Sequence, residues 1–230
     1  MHLLRKIRGF TLVELLVVMT IIVFLVAMLV PAVEQAASYA REAKCLANLS
    51  QVGVAMRMYT NDNRLYYPSK ALAGLNSIFN WVGTAGSVSP WDAVGADLRH
   101  LNRYVGAASS GPRTPVPIAA CPSETPIFPF SVQAGTSYAS NHSSVFSSLM
   151  ARGPSNGNSI RTIDVLNPSR LVAGADDPGL SAGWAGARNY YWHRPSIHAV
   201  LFADNRAAMT NIPWGVAVGS DYTFDEQGRE

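Results

Sequence analysis

Hydrophobic and polar residues divide this chain into an apolar N-terminal stretch and a mixed remainder. Residues 15–33 are 19 positions without a charged side chain, and the apolar character reaches back to Phe10 with Glu14 as the single carboxylate. About 20 apolar residues span a lipid bilayer as one helix. The pattern therefore predicts a transmembrane helix over residues 10–33.

A cleaved secretory signal peptide is the alternative interpretation of this stretch. Signal peptides have an apolar core of about 7–15 residues, followed by a small-residue cleavage site. The run here is longer, and no such site follows it cleanly, since Ala27 and Ala32 stand isolated.

Basic residues precede the run, and basic flanks stay cytoplasmic. We therefore expect the chain beyond about residue 34 to lie outside the cytoplasm.

The helical pattern continues beyond Pro31 to about residue 60. Small and apolar residues recur there at steps of three and four, the period of one helix face. They are Ala36, Ala40, Ala43, Leu46, Ala47, Leu49, Gly53, Val54, Met56 and Tyr59. A polar Asn-Asp-Asn run at 61–63 follows as a stop signal. We expect an amphipathic continuation of the helix over 34–62, packed against a globular domain over 63–230.

The remainder of the chain combines loop residues with short strand signals. The 18 glycines and 14 prolines of the chain favour a loop-rich domain. The clearest strand is 198–204, with 207–212 as its hairpin partner, and 160–165 and 170–175 are further strands. Residues 98–105 are expected to form a short helix or an irregular turn region. The predicted fold class is α+β, with a long N-terminal helix packed on a small antiparallel β-sheet domain.

The charge balance argues against a nucleic-acid partner. The net charge is +3, from 18 basic and 15 acidic residues, and a basic surplus can indicate nucleic-acid binding. Three of the basic residues, Arg5, Lys6 and Arg8, lie within the first nine positions, so the rest of the chain carries 15 charges of each sign. No later cluster of basic and aromatic residues appears, and we expect no nucleic-acid binding.

The apolar stretch begins with the residues Gly9-Phe10-Thr11-Leu12-Val13-Glu14. This hexapeptide resembles the processing motif of type IV prepilins and of type II secretion pseudopilins. The resemblance implies that residues 1–9 are a leader peptide, that prepilin peptidase cuts after Gly9, and that Phe10 becomes the N-methylated first residue. It also implies that Glu14 pairs with the amino terminus of a neighbouring subunit during assembly. Such a partner would offset the cost of a carboxylate in a membrane segment.

The resemblance implies a structural protein and not an enzyme. The chain would be a single-pass inner-membrane protein with a cytoplasmic N-terminus and a periplasmic or extracellular body. It would assemble with other pilin or pseudopilin subunits into a secretion pseudopilus or a pilus-like filament. Two alternatives stay open: a membrane-tethered binding module that does not polymerise, and an anchored enzyme. A hydrolase would use His193, His198 and Asp204, but no G-x-S-x-G or H-E-x-x-H motif accompanies them.

Segments of the body carry a second resemblance, to a pilin-like family found in planctomycetes and verrucomicrobia. The similar segments are residues 45–53, 121–124, 167–170 and 201–204. Members of that family often end with a histidine, nine residues and Asp-Gly. Here ten residues separate His193 from Asp204, and Asn205 replaces the glycine. Because asparagine tolerates positive φ, a tight turn is still expected.

Two cysteines and two carboxylates are the remaining candidate site residues. Cys45 and Cys121 are the only cysteines, and outside the cytoplasm they can form a disulfide, with two buried free thiols as the alternative. Neither lies in a C-x-x-C pair, which argues against a metal site. Asp176 and Asp177 are candidate calcium ligands, but calcium takes about six to eight oxygens, and a solvated turn is the alternative. Apart from this calcium, we expect no cofactor.

Overall fold

The structure is a computed structural model of the 230-residue chain. It describes residues 10–68, 71–72, 75–76, 79, 81–89, 91–107, 113, 115–125, 129–141, 160–178, 191–216 and 218–224. The chain forms two compact units, Met1–Ala40 and Arg41–Glu230.

One long helix, α1 (Leu12–Asp62), begins in the first unit and ends in the second. Its apolar part has a mean hydropathy of 3.0 with none of that window buried, and by length and composition it is the one helix among the described residues able to cross a membrane. Pro31 lies inside the helix, where it removes one backbone donor. Both the backbone N–H and the side-chain amide of Asn63 donate to the Tyr59 carbonyl, at 3.0 and 2.8 Å. The predicted long helix and its stop are confirmed.

The second unit contains a four-stranded antiparallel sheet in the order β3–β4–β5–β6. These strands are Tyr138–Ser140 (β3), Val172–Asp176 (β4), Ile197–Phe202 (β5) and Ala207–Asn211 (β6), and a separate ribbon pairs β1 (Ala71–Leu72) with β2 (Leu75–Asn76). A short helix, α2 (Phe130–Gln133), precedes β3. The α+β fold class is confirmed.

Both faces of this sheet are covered, as the alternation of side chains along β5 shows. Ala199 and Leu201 belong to a buried cluster that includes Leu49, Val52 and Met56 of α1. Val200 and Phe202 point to the other face, into a second buried cluster that includes Phe79, Ile212, Tyr222 and Phe224. The second half of α1 therefore packs on one face of the sheet.

The buried face of α1 differs from the predicted one. Ala43, Ala47 and Val54 are exposed, whereas Cys45 and Asn48 are buried. Asn48 tolerates burial because its side-chain amide donates to the Ala120 carbonyl at 2.8 Å. A pattern of apolar residues alone does not include a buried asparagine, and the predicted face is therefore shifted by about one residue from the observed one.

The hairpin prediction is confirmed, and one strand prediction is wrong. β5 and β6 pair in register across a tight turn in which Asn205 has a φ of 69°. Residues 98–105, expected to form a short helix or an irregular turn region, contain a 3₁₀ helix at Asn102–Val105. Residues 160–165 instead hold a 3₁₀ turn at Thr162–Asp164. The Arg161 guanidinium binds the Asp164 carboxylate at 3.0 Å across this turn, a local contact that favours a turn over a strand.

A buried arginine holds several loops of the second unit together. The Arg99 side chain is buried, with the residue 2% exposed. Its guanidinium donates to the carbonyls of Phe79, Val82 (3.2 Å), Thr84 (2.5 Å) and Ala134 (2.6 Å). Burial lowers the pKa of Arg99 to about 9, so the group stays charged at neutral pH. Loops that are distant in sequence thus share one cationic donor.

Candidate functional site

The N-terminal motif lies at the start of α1. Gly9 falls outside the described residues, and Phe10 is 73% exposed. Helix α1 begins two residues after Phe10. A cut after Gly9 would therefore leave Phe10 and Thr11 ahead of the first helical residue.

Thr11 and Glu14 form a reciprocal cap at this helix start. The Thr11 N–H and hydroxyl donate to Oε2 of Glu14 at 2.8 and 2.9 Å, and the Glu14 N–H donates to the Thr11 hydroxyl at 3.2 Å. This arrangement is a capping box, and it satisfies N–H groups that a helix start otherwise leaves unpaired. The sequence interpretation missed it, although the Thr-x-x-Glu spacing before an apolar run was the available signal.

The surface around Glu14 is apolar and open. Every residue from 10 to 33 is exposed, and Glu14 is the one ionisable group among them. A continuous apolar surface of this size marks a contact with protein or membrane. Glu14 is therefore the one point on this surface where a charged partner could be recognised.

In the second unit, a disulfide joins Cys45 of α1 to Cys121, with an S–S distance of 1.97 Å and a sequence separation of 76. The two residues are 0% and 3% exposed. In the chain-entropy account, a bond that closes a loop of this length adds about 4 kcal/mol of stability. The hydrogen bond from the Asn48 side-chain amide to the Ala120 carbonyl lies beside the disulfide. A covalent bond and a hydrogen bond therefore fix the same part of α1.

A buried carboxylate between two imidazoles lies next to this disulfide. Oδ1 of Asp176 is 3.2 Å from Nδ1 of His198, and Oδ2 is 3.3 Å from Nε2 of His193. The Ala199 N–H also donates to Oδ2 at 2.9 Å. Burial acts to raise the pKa of Asp176, but the hydrogen bonds from His193 and His198 outweigh it and hold this pKa below its usual range. Nε2 of His193 also lies 3.7 Å from the Cys121 sulfur.

His193 and His198, which a hydrolase would have used with Asp204, both contact Asp176 instead. The β4–β5 pairing places Asp176 beside Ala199, whereas Asp204 lies exposed in the hairpin turn and accepts the Arg206 N–H at 3.0 Å. No local spacing in the sequence indicates which carboxylate meets the histidines.

Asp176 and Asp177 lie at the end of β4, where both are buried. The solvated-turn interpretation of this pair is therefore wrong. The two carboxylate oxygens of Asp176 contact three nitrogen atoms, those of the two histidine rings and of the Ala199 N–H. These nitrogens lie where a calcium ion would have to bind the same oxygens. Calcium binding by Asp176 and Asp177 stays a prediction.

Comparison with known proteins bears on the N-terminal part of the chain. The family model described as the prokaryotic N-terminal methylation motif matches residues 4–30. This match covers the residues 9–14 and most of the exposed apolar part of α1, and it supports a subunit of the pilin or pseudopilin type. No curated protein and no solved structure matched the chain.

Proposed function

We propose that this chain is a pilin-like structural subunit that prepilin peptidase cuts after Gly9. The amine of Phe10 is then methylated, and subunits assemble through α1 into a type II secretion pseudopilus or a type IV pilus-like filament. The observation that carries this proposal is the match of residues 4–30 to the prokaryotic N-terminal methylation motif.

The exposed surface of residues 10–33 supports assembly through the helix. Large apolar side chains that no part of the described structure covers are stable in lipid before assembly and against neighbouring helices after it. The same surface thus serves as an anchor and as a polymer contact. The helix alone does not distinguish a pilus from a secretion pseudopilus.

Glu14 gives this apolar contact a defined register. Its carboxylate is held by Thr11 at the helix start, so it occupies a fixed place one turn from the new amino terminus. In the assembled filament, the amine of Phe10 from a neighbouring subunit is the cation that reaches this carboxylate. A charged contact in an apolar surrounding is costly when it is mispaired, and it therefore selects one arrangement of neighbours.

The second unit supports an exported location. A disulfide between Cys45 and Cys121 is stable in oxidising compartments, and the basic leader is expected to keep the other end of the span cytoplasmic. The body of the proposed subunit is thus periplasmic or extracellular. Its likeness to the planctomycete and verrucomicrobial family belongs to the same proposal.

The test separates a polymerising subunit from a tethered binding module. The chain is expressed with a prepilin peptidase and a filament assembly system, membrane material is analysed by mass spectrometry, and sheared material by cryo-electron microscopy. We expect methylated Phe10 at the N-terminus and filaments whose core is α1. A processed chain that never forms filaments would support the tethered module, and an uncut chain would overturn the proposal.

A matched pair of variants tests the role of the carboxylate. Glu14→Ala should be cut normally but give few filaments, because the charge partner of the neighbouring amine is lost. Glu34→Ala removes an exposed carboxylate from the same helix and should assemble normally. Equal filament yields from the two variants would remove Glu14 from the assembly contact.

A further inference from the structure

The buried centre of the second unit brings together side chains that bind metal ions. Sγ of Cys45, Sγ of Cys121 and Nε2 of His193 all lie within 4.8 Å of one another. The cysteines are 0% and 3% exposed, and the His193 side chain is 0% exposed. Two sulfurs and one imidazole nitrogen are a donor set that zinc prefers.

A carboxylate borders the same nitrogen and is the candidate for a fourth donor, although it is not among the three donors that all lie within 4.8 Å of one another. Oδ2 of Asp176 is 3.3 Å from Nε2 of His193, and the Asp176 side chain is 0% exposed. His198 holds the other oxygen of this carboxylate at 3.2 Å. His198 therefore orients Asp176, in the way that outer hydrogen-bond partners orient metal ligands.

Two of the donor separations match the edges of a tetrahedral zinc site, whereas the two sulfurs are 1.97 Å apart in the disulfide and would have to separate to about 3.8 Å after reduction. With Zn–S of about 2.3 Å and Zn–N and Zn–O of about 2.0–2.2 Å, the ligand edges of a tetrahedron are about 3.5 Å for S···N and about 3.4 Å for N···O. The corresponding distances here are 3.7 Å from Cys121 to His193 and 3.3 Å from His193 to Asp176. Both agree with the expected edges to within about 0.2 Å.

We propose that the reduced form of this chain binds one zinc ion through Cys45, Cys121, His193 and Asp176, so that the disulfide and the zinc site are alternative states of one centre. Reduction by a dithiol transfers two electrons and two protons to the sulfurs and leaves the dithiol as a cyclic disulfide. Zinc then displaces the two thiol protons, which pass to water, and two Zn–S bonds form.

The other ring nitrogen of His193, Nδ1, takes no part in the proposed zinc site. Within the described part of the chain, Nδ1 of His193 is buried without a hydrogen-bond partner. Nε2 is the ring nitrogen that faces both the Cys121 sulfur and the Asp176 carboxylate, and it is therefore the one proposed to bind the metal.

The zinc-bound state would stabilise the folded second unit before the disulfide forms. Cys45 belongs to α1 and Cys121 to the segment 115–125, and a metal ion between their thiolates links the same two segments as the covalent bond. Binding free energy of this kind adds directly to folding stability. A newly made subunit would therefore be sensitive to chelators only until it is oxidised.

The experiment uses the full chain in detergent micelles under anaerobic conditions. A phosphine reduces the disulfide without competing for the metal, zinc is added, and unbound zinc is removed. We expect one zinc per reduced chain and none per oxidised chain. Cobalt in place of zinc should give a thiolate-to-cobalt charge-transfer band and the visible absorption of a tetrahedral site, with the near-ultraviolet circular dichroism of the folded chain retained.

Variants assign the ligands. His193→Ala should lose stoichiometric zinc while still forming the disulfide, and His198→Gln should weaken zinc binding about 10- to 100-fold through Asp176. His100→Ala alters a histidine outside the centre and should bind as the unmodified chain does. The proposal is overturned if the reduced chain binds no zinc, if it binds zinc only when unfolded, or if His193→Ala binds zinc with unchanged affinity.

Discussion

Replacing Gly53 with alanine should destabilise the second unit, although alanine is the better helix former. Gly53 lies on the buried face of α1. A Cβ atom at this position would lie 2.8 Å from the Asn205 carbonyl oxygen and 2.9 Å from Cδ1 of Leu201. The methyl group therefore has no free space between the helix and the β5–β6 turn.

Two opposing effects decide the size of the change. Gly-to-Ala substitution inside a helix stabilises by about 0.8–1 kcal/mol, and overpacking a core costs about 1–3 kcal/mol. The Leu201 side chain can rotate away from the new methyl group. The Asn205 oxygen cannot, because it belongs to the backbone of a turn in which the Asn205 N–H donates to the Phe202 carbonyl at 2.9 Å. The upper part of the overpacking range, about 2–3 kcal/mol, applies. The net loss is then about 1–2 kcal/mol, or about 2–8 °C in Tm for a unit of this size.

The assay is thermal unfolding of the full chain in detergent, followed by near-ultraviolet circular dichroism. Ala47→Gly, at an exposed position of the same helix, is the control and should lower the stability by about 1 kcal/mol through helix propensity alone. If Gly53→Ala instead raised Tm by as much as Ala47→Gly lowers it, the close contact with the turn would be refuted.

Three further predictions concern cleavage, a buried cation and pH. Gly9→Ala should largely block maturation, measured by N-terminal mass, while Arg8→Lys keeps the leader charge and should be cut normally. Arg99→Met leaves several buried carbonyls without a donor at about 1–3 kcal/mol each, so urea unfolding should show a loss of at least about 3 kcal/mol, against little change for the exposed Arg103→Met. Because the folded pKa of Asp176 lies below the unfolded value of about 3.9, its stabilising effect is complete above that pH and is lost as pH falls toward the folded pKa. Unfolding free energies measured from pH 6 downward should therefore fall more steeply in the unmodified chain than in Asp176→Asn.

Each of these predictions has a result that contradicts it. An intact N-methylated product from Gly9→Ala would reject the cleavage assignment. Equal losses for Arg99→Met and Arg103→Met would show that the carbonyl contacts contribute little. Parallel pH profiles for the unmodified chain and Asp176→Asn would show that the carboxylate is not stabilised by its neighbours.

The features that the sequence predicts correctly are local ones. The apolar stretch, the Asn-Asp-Asn stop at 61–63 and the hairpin at Asn205 each depend on residues adjacent in the chain. Periodicity and turn preferences report such features directly. The Thr11–Glu14 cap is equally local, and its spacing was sufficient to predict it.

The features that sequence reasoning missed depend on strand pairing or on backbone partners. Asp176 meets His198 because β4 and β5 pair, and nothing in the spacing of these residues favours Asp176 over Asp204. The terminal nitrogens of Arg99 donate to carbonyl oxygens, which every residue carries, so no side-chain pattern marks its partners. The burial of Asn48 on the packed face of α1 likewise depends on a distant carbonyl, that of Ala120.

The disulfide also determines how the subunit bears tension. A pull between the N-terminus of α1 and any point beyond Cys121 passes through the covalent bond from Cys45 to Cys121. Residues 46–120, which include the docked half of the helix, form the loop that this bond closes, so such a pull does not extend their covalent chain.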